Sequence, residues 1–295
     1  MPTGPGPPPL TVWVEAARPK TLTAALTPVL VGTAAAATVI AWLLAAALAV
    51  ALAVQVGVNY ANDYFDAVKG VDTAARVGPR RAVASGLISA RQMRTAMLAA
   101  LAVAGVAGAA LAAAAGWQLL VVGVLCFAAA LGYSGGPRPY ASAGLGEAFV
   151  FVFFGLVATV GSAYVQVERI LPVAVAAAVP VGLLATAILV ANNLRDLDTD
   201  RDAGKHTLAV RLGDRRTRGL YTSLVVGAFS FVAVVAVAAA SAWPLLALAA
   251  LPLALRPLAA VRAAATGPRL VVVLAGTARL ELGFGLLLAV GLVLG

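Results

Sequence analysis

Residues 95–137 read TAMLAALAVAGVAGAALAAAAGWQLLVVGVLCFAAALGYSGGP, 43 consecutive positions without a formal charge. One membrane crossing takes about 20 apolar residues, so this stretch is long enough for two. Three more charge-free runs flank it: residues 21–62 (42 residues), 170–194 (25) and 219–255 (37). Across the 295 residues, 62% are hydrophobic and 11% charged, where a soluble domain carries charge on about a quarter of its positions. A spanning barrel strand would alternate polar and apolar residues over about ten positions, and these runs do not. The expected fold is therefore an all-α polytopic membrane protein.

Dividing the runs at turn residues and charges predicts nine transmembrane helices, at 21–40, 43–62, 95–114, 117–134, 147–166, 170–191, 219–240, 243–261 and 275–294. Under that division 20 of the 21 Lys and Arg residues fall on one side, and only Arg169 on the other. The positive-inside rule then places the N-terminus and four basic loops in the cytoplasm and the C-terminus outside, in a cell membrane crossed many times. The net charge of +9 belongs to that rim, so nucleic-acid binding is not expected. Residues 1–12, Pro/Gly-rich at the start, are expected to be a disordered tail, followed by one transmembrane domain over 13–295. Cys126 and His206 are each the only residue of their kind, which excludes zinc sites and disulfides and leaves oxygen as the ligand for any metal.

Seven of the twelve acidic residues fall in two clusters. The first runs from Asn59 through Asn62, Asp63 and Asp66 to Lys69 and Asp72. The second runs from Asn192 and Asn193 through Arg195, Asp196, Asp198, Asp200 and Asp202 to Lys205. If the second span continues as a helix, Asn59, Asn62, Asp63 and Asp66 share one face at i, i+3, i+4 and i+7. Asn192, Asp196 and Asp200 would do the same at i, i+4 and i+8. Carboxylates that close repel and are costly to desolvate near lipid, so a hard cation such as Mg²⁺ is expected between them. Basic residues accompany both clusters: Lys69, Arg76, Arg80 and Arg81 the first, Arg195 and Lys205 the second. Acid with base points to a polyanion held through metal, and a diphosphate satisfies both. Asp214, Arg215, Arg216 and Arg218 read as a solvated, topology-setting loop, Arg256 as a residue that snorkels, and His206 as a loop residue.

The segments Asn62-Asp63-Tyr64-Phe65-Asp66 and Asp196-Leu197-Asp198-Thr199-Asp200 resemble the two Asp-rich motifs of the UbiA superfamily of intramembrane aromatic prenyltransferases. One departure is that Asp72 follows Asp66 by six positions, where the common pattern has four. The stretches at 72–82, 133–139, 144–147 and 192–213 resemble one branch, the 1,4-dihydroxy-2-naphthoate polyprenyltransferases of menaquinone synthesis. The likeness extends from about Trp13 to Glu281. It implies nine helices around a central cavity, capped on the cytoplasmic side by the Asp-rich loops. It also implies transfer of a polyprenyl group from its diphosphate to 1,4-dihydroxy-2-naphthoate, with loss of diphosphate and CO₂.

On that reading Asp63, Asp66, Asp196 and Asp200, helped by Asn62 and Asn192, hold Mg²⁺. Lys69, Arg76, Arg81, Arg138, Arg195 and Lys205 contact the diphosphate. Asn59, Tyr133 and Glu147 orient the aromatic acceptor, and Tyr60, Tyr64, Phe65, Tyr133 and Phe149 are the rings available to face a carbocation. The polyprenyl tail would leave sideways into membrane lipid. Two alternatives remain at this point: another aromatic acceptor (4-hydroxybenzoate, homogentisate or a tetrapyrrole), or an ion-coupled transporter whose carboxylates bind a coupling ion.

Overall fold

A computed structural model describes residues 8–70 and 81–295, and all of their regular structure is helical. A short α1 (Leu10–Ala17) leads into α2 (Thr23–Ala35), α3 (Ala41–Val68), α4 (Ala90–Ala115) and α5 (Gln118–Ser134). Then come α6 (Gly146–Val167), α7 (Pro172–Arg195), the short α8 (Leu197–Asp202), α9 (Leu208–Ala238), α10 (Trp243–Arg262) and α11 (Pro268–Leu294). Each expected span meets one of these helices. Among the described residues, seven helices are long and apolar enough to cross a membrane, while α2 and α5 are apolar but only 13 and 17 residues long. The chain is a multi-pass membrane protein.

Several boundaries differ from expectation, for one physical reason: an apolar run marks depth in lipid, whereas a helix runs on into the polar zone. So α3 continues to Val68, α9 starts at Leu208 and α11 at Pro268. The opposite happens in α2, which stops at Ala35 because Ala37 turns left-handed (φ 53°) and the Ile40 amide donates to the Gln166 side chain at 2.8 Å. The expected tail overlaps α1, whose Trp13 ring meets Tyr60 edge-on at 5.9 Å.

Local signals fix the helix starts nearest the site. Ser89 and Gln92 form a capping box at the head of α4: the Gln92 amide donates to Ser89 Oγ (3.3 Å) and the Ser89 amide to Gln92 Oε1 (3.0 Å). Thr207 caps α9, which then breaks at Gly213 (φ 76°).

Lipid supplies little hydrophobic drive between helices, so the bundle holds together by close backbone approach and van der Waals packing. Helix α7 is the central post, with Ala174, Ala177, Ala178, Val181, Leu184 and Ala187 wholly buried. It touches α2, α6, α9 and α11. Where α6 crosses it, a Cβ on Gly155 would lie 2.6 Å from Gly182 Cα, so both positions require glycine. That contact lies in a π-helical stretch, Phe151–Val157, a wide turn often found beside functional sites. Helix α3 packs on α4 and α5 and closes the other side of a cavity.

Candidate active site

A cavity of about 860 Å³ runs between α3, α4, α5, α6 and α7. Asn62, Asp66, Lys69 and Arg81 line its mouth from one side, and Asn192, Asn193, Asp196, Asp200 and Lys205 from the other. The two acidic clusters therefore converge, although about 130 residues separate them in the chain. Lys205 shows how closely: its Nζ is 3.8 Å from Asp66 Oδ2 and 3.5 Å from Asp200 Oδ1.

Of the first cluster, Asn59, Asn62, Asp66 and Lys69 line the cavity from one face of α3, as their spacing predicts, and Asp63 does not. Asp66 is buried and accepts from Arg81 Nη2 at 2.7 Å. Asn62 Oδ1 accepts from the Ser134 hydroxyl, and Lys69 Nζ donates to the Ser134 carbonyl at 2.7 Å, so α5 helps orient both. Burial lowers the Lys69 pKa, a shift opposed by Asp66 and reinforced by Lys205. Asp63 faces away from the cavity wall: its two oxygens accept the amides of Ala82 (2.9 Å) and Val83 (3.0 Å). It thereby fixes the turn that starts at Arg81 and holds that guanidinium over Asp66. Each Asp63 oxygen keeps a second lone pair.

The second cluster does not form the single helical stripe that the i, i+4, i+8 spacing suggested. Helix α7 ends at Arg195, Asp196 takes a non-helical conformation (φ −94°, ψ 7°), and α8 begins at Leu197. The cause is local. Arg195 folds onto its own neighbour with a two-pronged grip, Nε to Oδ1 at 2.7 Å and Nη2 to Oδ2 at 2.6 Å, and Nη2 also donates to Asn192 Oδ1 at 2.9 Å. The break lets Asn192, Asp196 and Asp200 all reach the cavity. Arg195 itself does not line it, so this arginine braces Asp196, where sequence had placed it on diphosphate. Asp198 and Asp202 are exposed.

Other expected residues divide in the same way. Arg138 is exposed and off the cavity wall, although its neighbours Pro137 and Pro139 line it. Tyr133 lines the cavity, whereas Glu147 sits behind it, accepting from Asn193 Nδ2 at 2.9 Å, with its Oε2 buried and without a hydrogen bond. Of the five candidate rings, Tyr133 and Phe149 face the cavity, while Tyr60, Tyr64 and Phe65 pack against α1, α4 and their surroundings. His206 is exposed. Asp72, Arg76 and Arg80 lie outside the described residues.

Sequence reasoning missed two features. Tyr140 joins Tyr133 (5.5 Å, edge-on) and stacks on Phe149 (4.0 Å), which stacks in turn on Phe153 (5.9 Å), making an aromatic wall. Its loop position hid it. Arg18 also lines the cavity, yet in sequence it was one more topology charge. Its backbone is left-handed (φ 53°, ψ 68°), a conformation that costs a non-glycine residue on the order of 1–3 kcal/mol.

Among the described residues, no three Asp, Glu, His or Cys side chains already gather as metal ligands. The lysine ammonium stands between the acids. The Asp66, Asp196, Asp200, Asn62 and Asn192 side chains that line the cavity offer hard oxygen donors, which is the chemistry Mg²⁺ takes. The residues present fit the ion.

Known proteins share the sequence and the fold. Residues 25–269 match the model of the UbiA prenyltransferase family. A Mycobacterium tuberculosis protein named 1,4-dihydroxy-2-naphthoate octaprenyltransferase is 47% identical over 96% of this chain and 97% of its own. The fold is shared with a UbiA homolog from Aeropyrum pernix (TM-score 0.69, 16% identity, 92% of this chain and 97% of that one). It is also shared with one from Archaeoglobus fulgidus whose structure holds DMAPP and Mg²⁺ (TM-score 0.56, 18% identity, 76% of this chain and 77% of that one). With the family model covering most of its length and the two Asp-rich clusters meeting at one cavity, this chain belongs to the UbiA prenyltransferase family.

Proposed function

We propose that the protein transfers a polyprenyl group from an allylic polyprenyl diphosphate to 1,4-dihydroxy-2-naphthoate, releasing diphosphate and CO₂ and giving a demethylmenaquinone in its reduced, quinol form. The observation that carries this reading is the composition of one cavity. Acids and bases meet at its mouth, and beyond them the wall is apolar and aromatic. The resemblance of the chain to a 1,4-dihydroxy-2-naphthoate octaprenyltransferase names the acceptor.

The difficult step is breaking the bond between the allylic carbon and the diphosphate oxygen, since negative charge grows on the leaving group. Lys69, Arg81 and Lys205 bind the diphosphate and meet that charge with donors already in place. Asp66, Asp196, Asp200, Asn62 and Asn192 would hold Mg²⁺, and the ion would supply Lewis-acid neutralisation of the departing oxygens. Asp63 keeps Arg81 in position, and Arg195 does the same for Asp196. The allylic carbon then bonds to the naphthoate ring, and the carboxylate leaves as CO₂.

Water must be kept away while the cation lasts. The Tyr133, Tyr140, Phe149 and Phe153 wall excludes it and presents aromatic faces to the positive charge. The tail extends along the apolar end of the cavity, past Gly123 and Gly161, and leaves into lipid. By the distribution of Lys and Arg, the acidic mouth faces the cytoplasm at the cell membrane, with the N-terminus inside and the C-terminus outside. A transporter reading is disfavoured because the acids sit at helix ends with basic partners.

The test is direct. Purified protein in lipid vesicles receives labelled allylic diphosphate and carboxyl-labelled dihydroxynaphthoate, with and without Mg²⁺. Prenylated product with stoichiometric CO₂, only when metal is present, is expected. Metal-independent product contradicts the metal role, and prenylation of a different phenol alone contradicts the acceptor.

A further inference from the structure

Two arginines stand on membrane-spanning helices, where a charged residue is costly. Arg256 lies six residues before the end of α10 and Arg279 eleven residues after the start of α11, about 9 Å and 16 Å from those ends at a rise of 1.5 Å per residue. Both residues are exposed, and neither pairs with a described residue. The turn that joins the two helices sits on the side of the acidic mouth, since Arg218, in the first third of α9, donates to the Val261 and Ala265 carbonyls at 3.1 and 2.9 Å.

The packing of α10 on α11 brings the two arginines level. A Cβ on Gly276 would lie 2.9 Å from Pro257 Cγ, and one on Gly283 would lie 2.7 Å from Leu253 Cδ1. Arg279, between these glycines, therefore comes opposite residues 255–256. The inner side of the seam is filled by Ala254, Val261, Val273 and Leu280, all buried, which leaves both arginines on its lipid side. Side chains tilt toward the N-terminus of their own helix. Because the helices are antiparallel, Arg256 leans away from the turn and Arg279 toward it, so their Cα–Cβ bonds tilt toward a common level. A lone arginine at this depth would snorkel to the membrane surface; two that meet across a seam form a receptor for an anion.

The surroundings select which anion. Guanidinium forks match phosphate oxygens, and basic pockets between membrane helices on the cytoplasmic side bind phospholipid head groups. The acidic residue of α10 and α11 is Glu281, which is buried and, two residues from Arg279, on the opposite face. A choline or ethanolamine ammonium would find two positive neighbours here and no carboxylate. The complement is a phospholipid whose head group carries no cation. Leu286, two turns beyond Arg279 on the same face and about 10 Å further from the turn, opens an apolar groove of about 330 Å³. Val290 continues it, and Leu30, Thr33 and Leu44 form its other wall. A chain hanging from the phosphate would run into it.

We propose that the lipid-facing seam of α10 and α11 binds an anionic phospholipid, its phosphate held between Arg256 and Arg279 and one acyl chain in the groove lined by Leu286 and Val290. The site is separate from the transferase cavity and does not depend on that reading.

The experiment measures binding of dioleoyl phosphatidylglycerol and dioleoyl phosphatidylcholine to the detergent-solubilised full chain by native mass spectrometry. It compares wild type with Arg256→Gln, Arg279→Gln, Val290→Trp and, as a control on the basic rim, Arg216→Gln. Wild type should bind phosphatidylglycerol about ten-fold or more tighter than phosphatidylcholine, and each seam arginine variant should weaken phosphatidylglycerol about five-fold, with phosphatidylcholine unchanged. Arg216→Gln should change neither. Val290→Trp, which fills the groove and keeps both charges, should weaken the dioleoyl lipid and spare dihexanoyl phosphatidylglycerol. Either arginine variant tests the phosphate alone should the other fail to fold. Equal affinity for the two head groups in wild type, or the same loss in Arg216→Gln as at the seam, means an unselective lipid annulus and overturns the proposal. Wild-type behaviour of Val290→Trp toward both chain lengths overturns the placement of the acyl chain.

Discussion

Replacing Lys205 by Met should shift two binding constants in opposite directions. The ammonium lies 3.8 Å from Asp66 and 3.5 Å from Asp200, with its side chain 19% exposed. Unit charges about 4 Å apart attract by roughly 4 kcal/mol at an effective dielectric of 20. The desolvation of the ammonium and the water that reaches it reduce this to a net of about 1.5–3 kcal/mol, the range of charge-assisted contacts. Methionine keeps the apolar stem and removes the charge. The two facing carboxylates then lose the cation that they share, although Asp66 keeps Arg81, so a divalent ion that enters no longer competes with the ammonium. Binding of Mn²⁺ in the absence of diphosphate, followed by electron paramagnetic resonance, should tighten roughly 10- to 100-fold, at about 1.4 kcal/mol per factor of ten. The KM for the allylic diphosphate should rise by a similar factor, because a phosphate donor is gone. General damage to the site would weaken both. Unchanged or weaker Mn²⁺ binding in a folded Lys205→Met protein refutes the idea that the lysine occupies the cation position.

Asp63→Ala removes the acceptor of two loop amides at 2.9 and 3.0 Å. Charge-assisted bonds of this kind contribute about 1.5–3 kcal/mol each, so the loop should loosen, measured as faster amide exchange at Ala82 and Val83, and kcat should fall at least ten-fold. On the alkaline limb, burial favours the neutral form of Lys69. The KM for diphosphate should therefore begin to rise below the pH at which an ordinary lysine titrates, and Lys69→Arg should move that limb to higher pH. Gly161 lines the cavity with open space around its Cα, so Gly161→Phe should impair transfer of long polyprenyl chains and spare dimethylallyl transfer, as compared by kcat/KM for each donor.

The charge-free runs made the helical membrane fold legible, because a bilayer requires long apolar helices and the sequence contains little else. Asn62, Asp66 and Lys69 were legible for a similar reason: α3 does continue through them, so spacing along the chain is spacing on a face. The second cluster shows where that logic stops. Asn192, Asp196 and Asp200 reach the cavity because Arg195 grips Asp196 and α7 ends there, a contact that helical periodicity does not encode. Asp63 and Arg18 show the same limit. Each is placed by a contact with another segment, the turn at 82–83 for Asp63 and the Asn59 side chain, which donates to the Ala17 carbonyl, for Arg18, and partners across the fold leave no local pattern.

The central claim is that Asp66 and Asp200, from opposite sides of the cavity, act on one metal-bound diphosphate. A double-mutant cycle of Asp66→Asn and Asp200→Asn on Mg²⁺-dependent kcat/KM measures it. Two carboxylates sharing one ion should show strong non-additivity, with the double variant little worse than either single one and a coupling energy above about 1 kcal/mol. Losses that add to within about 0.5 kcal/mol would mean that the two carboxylates work independently, and would contradict it.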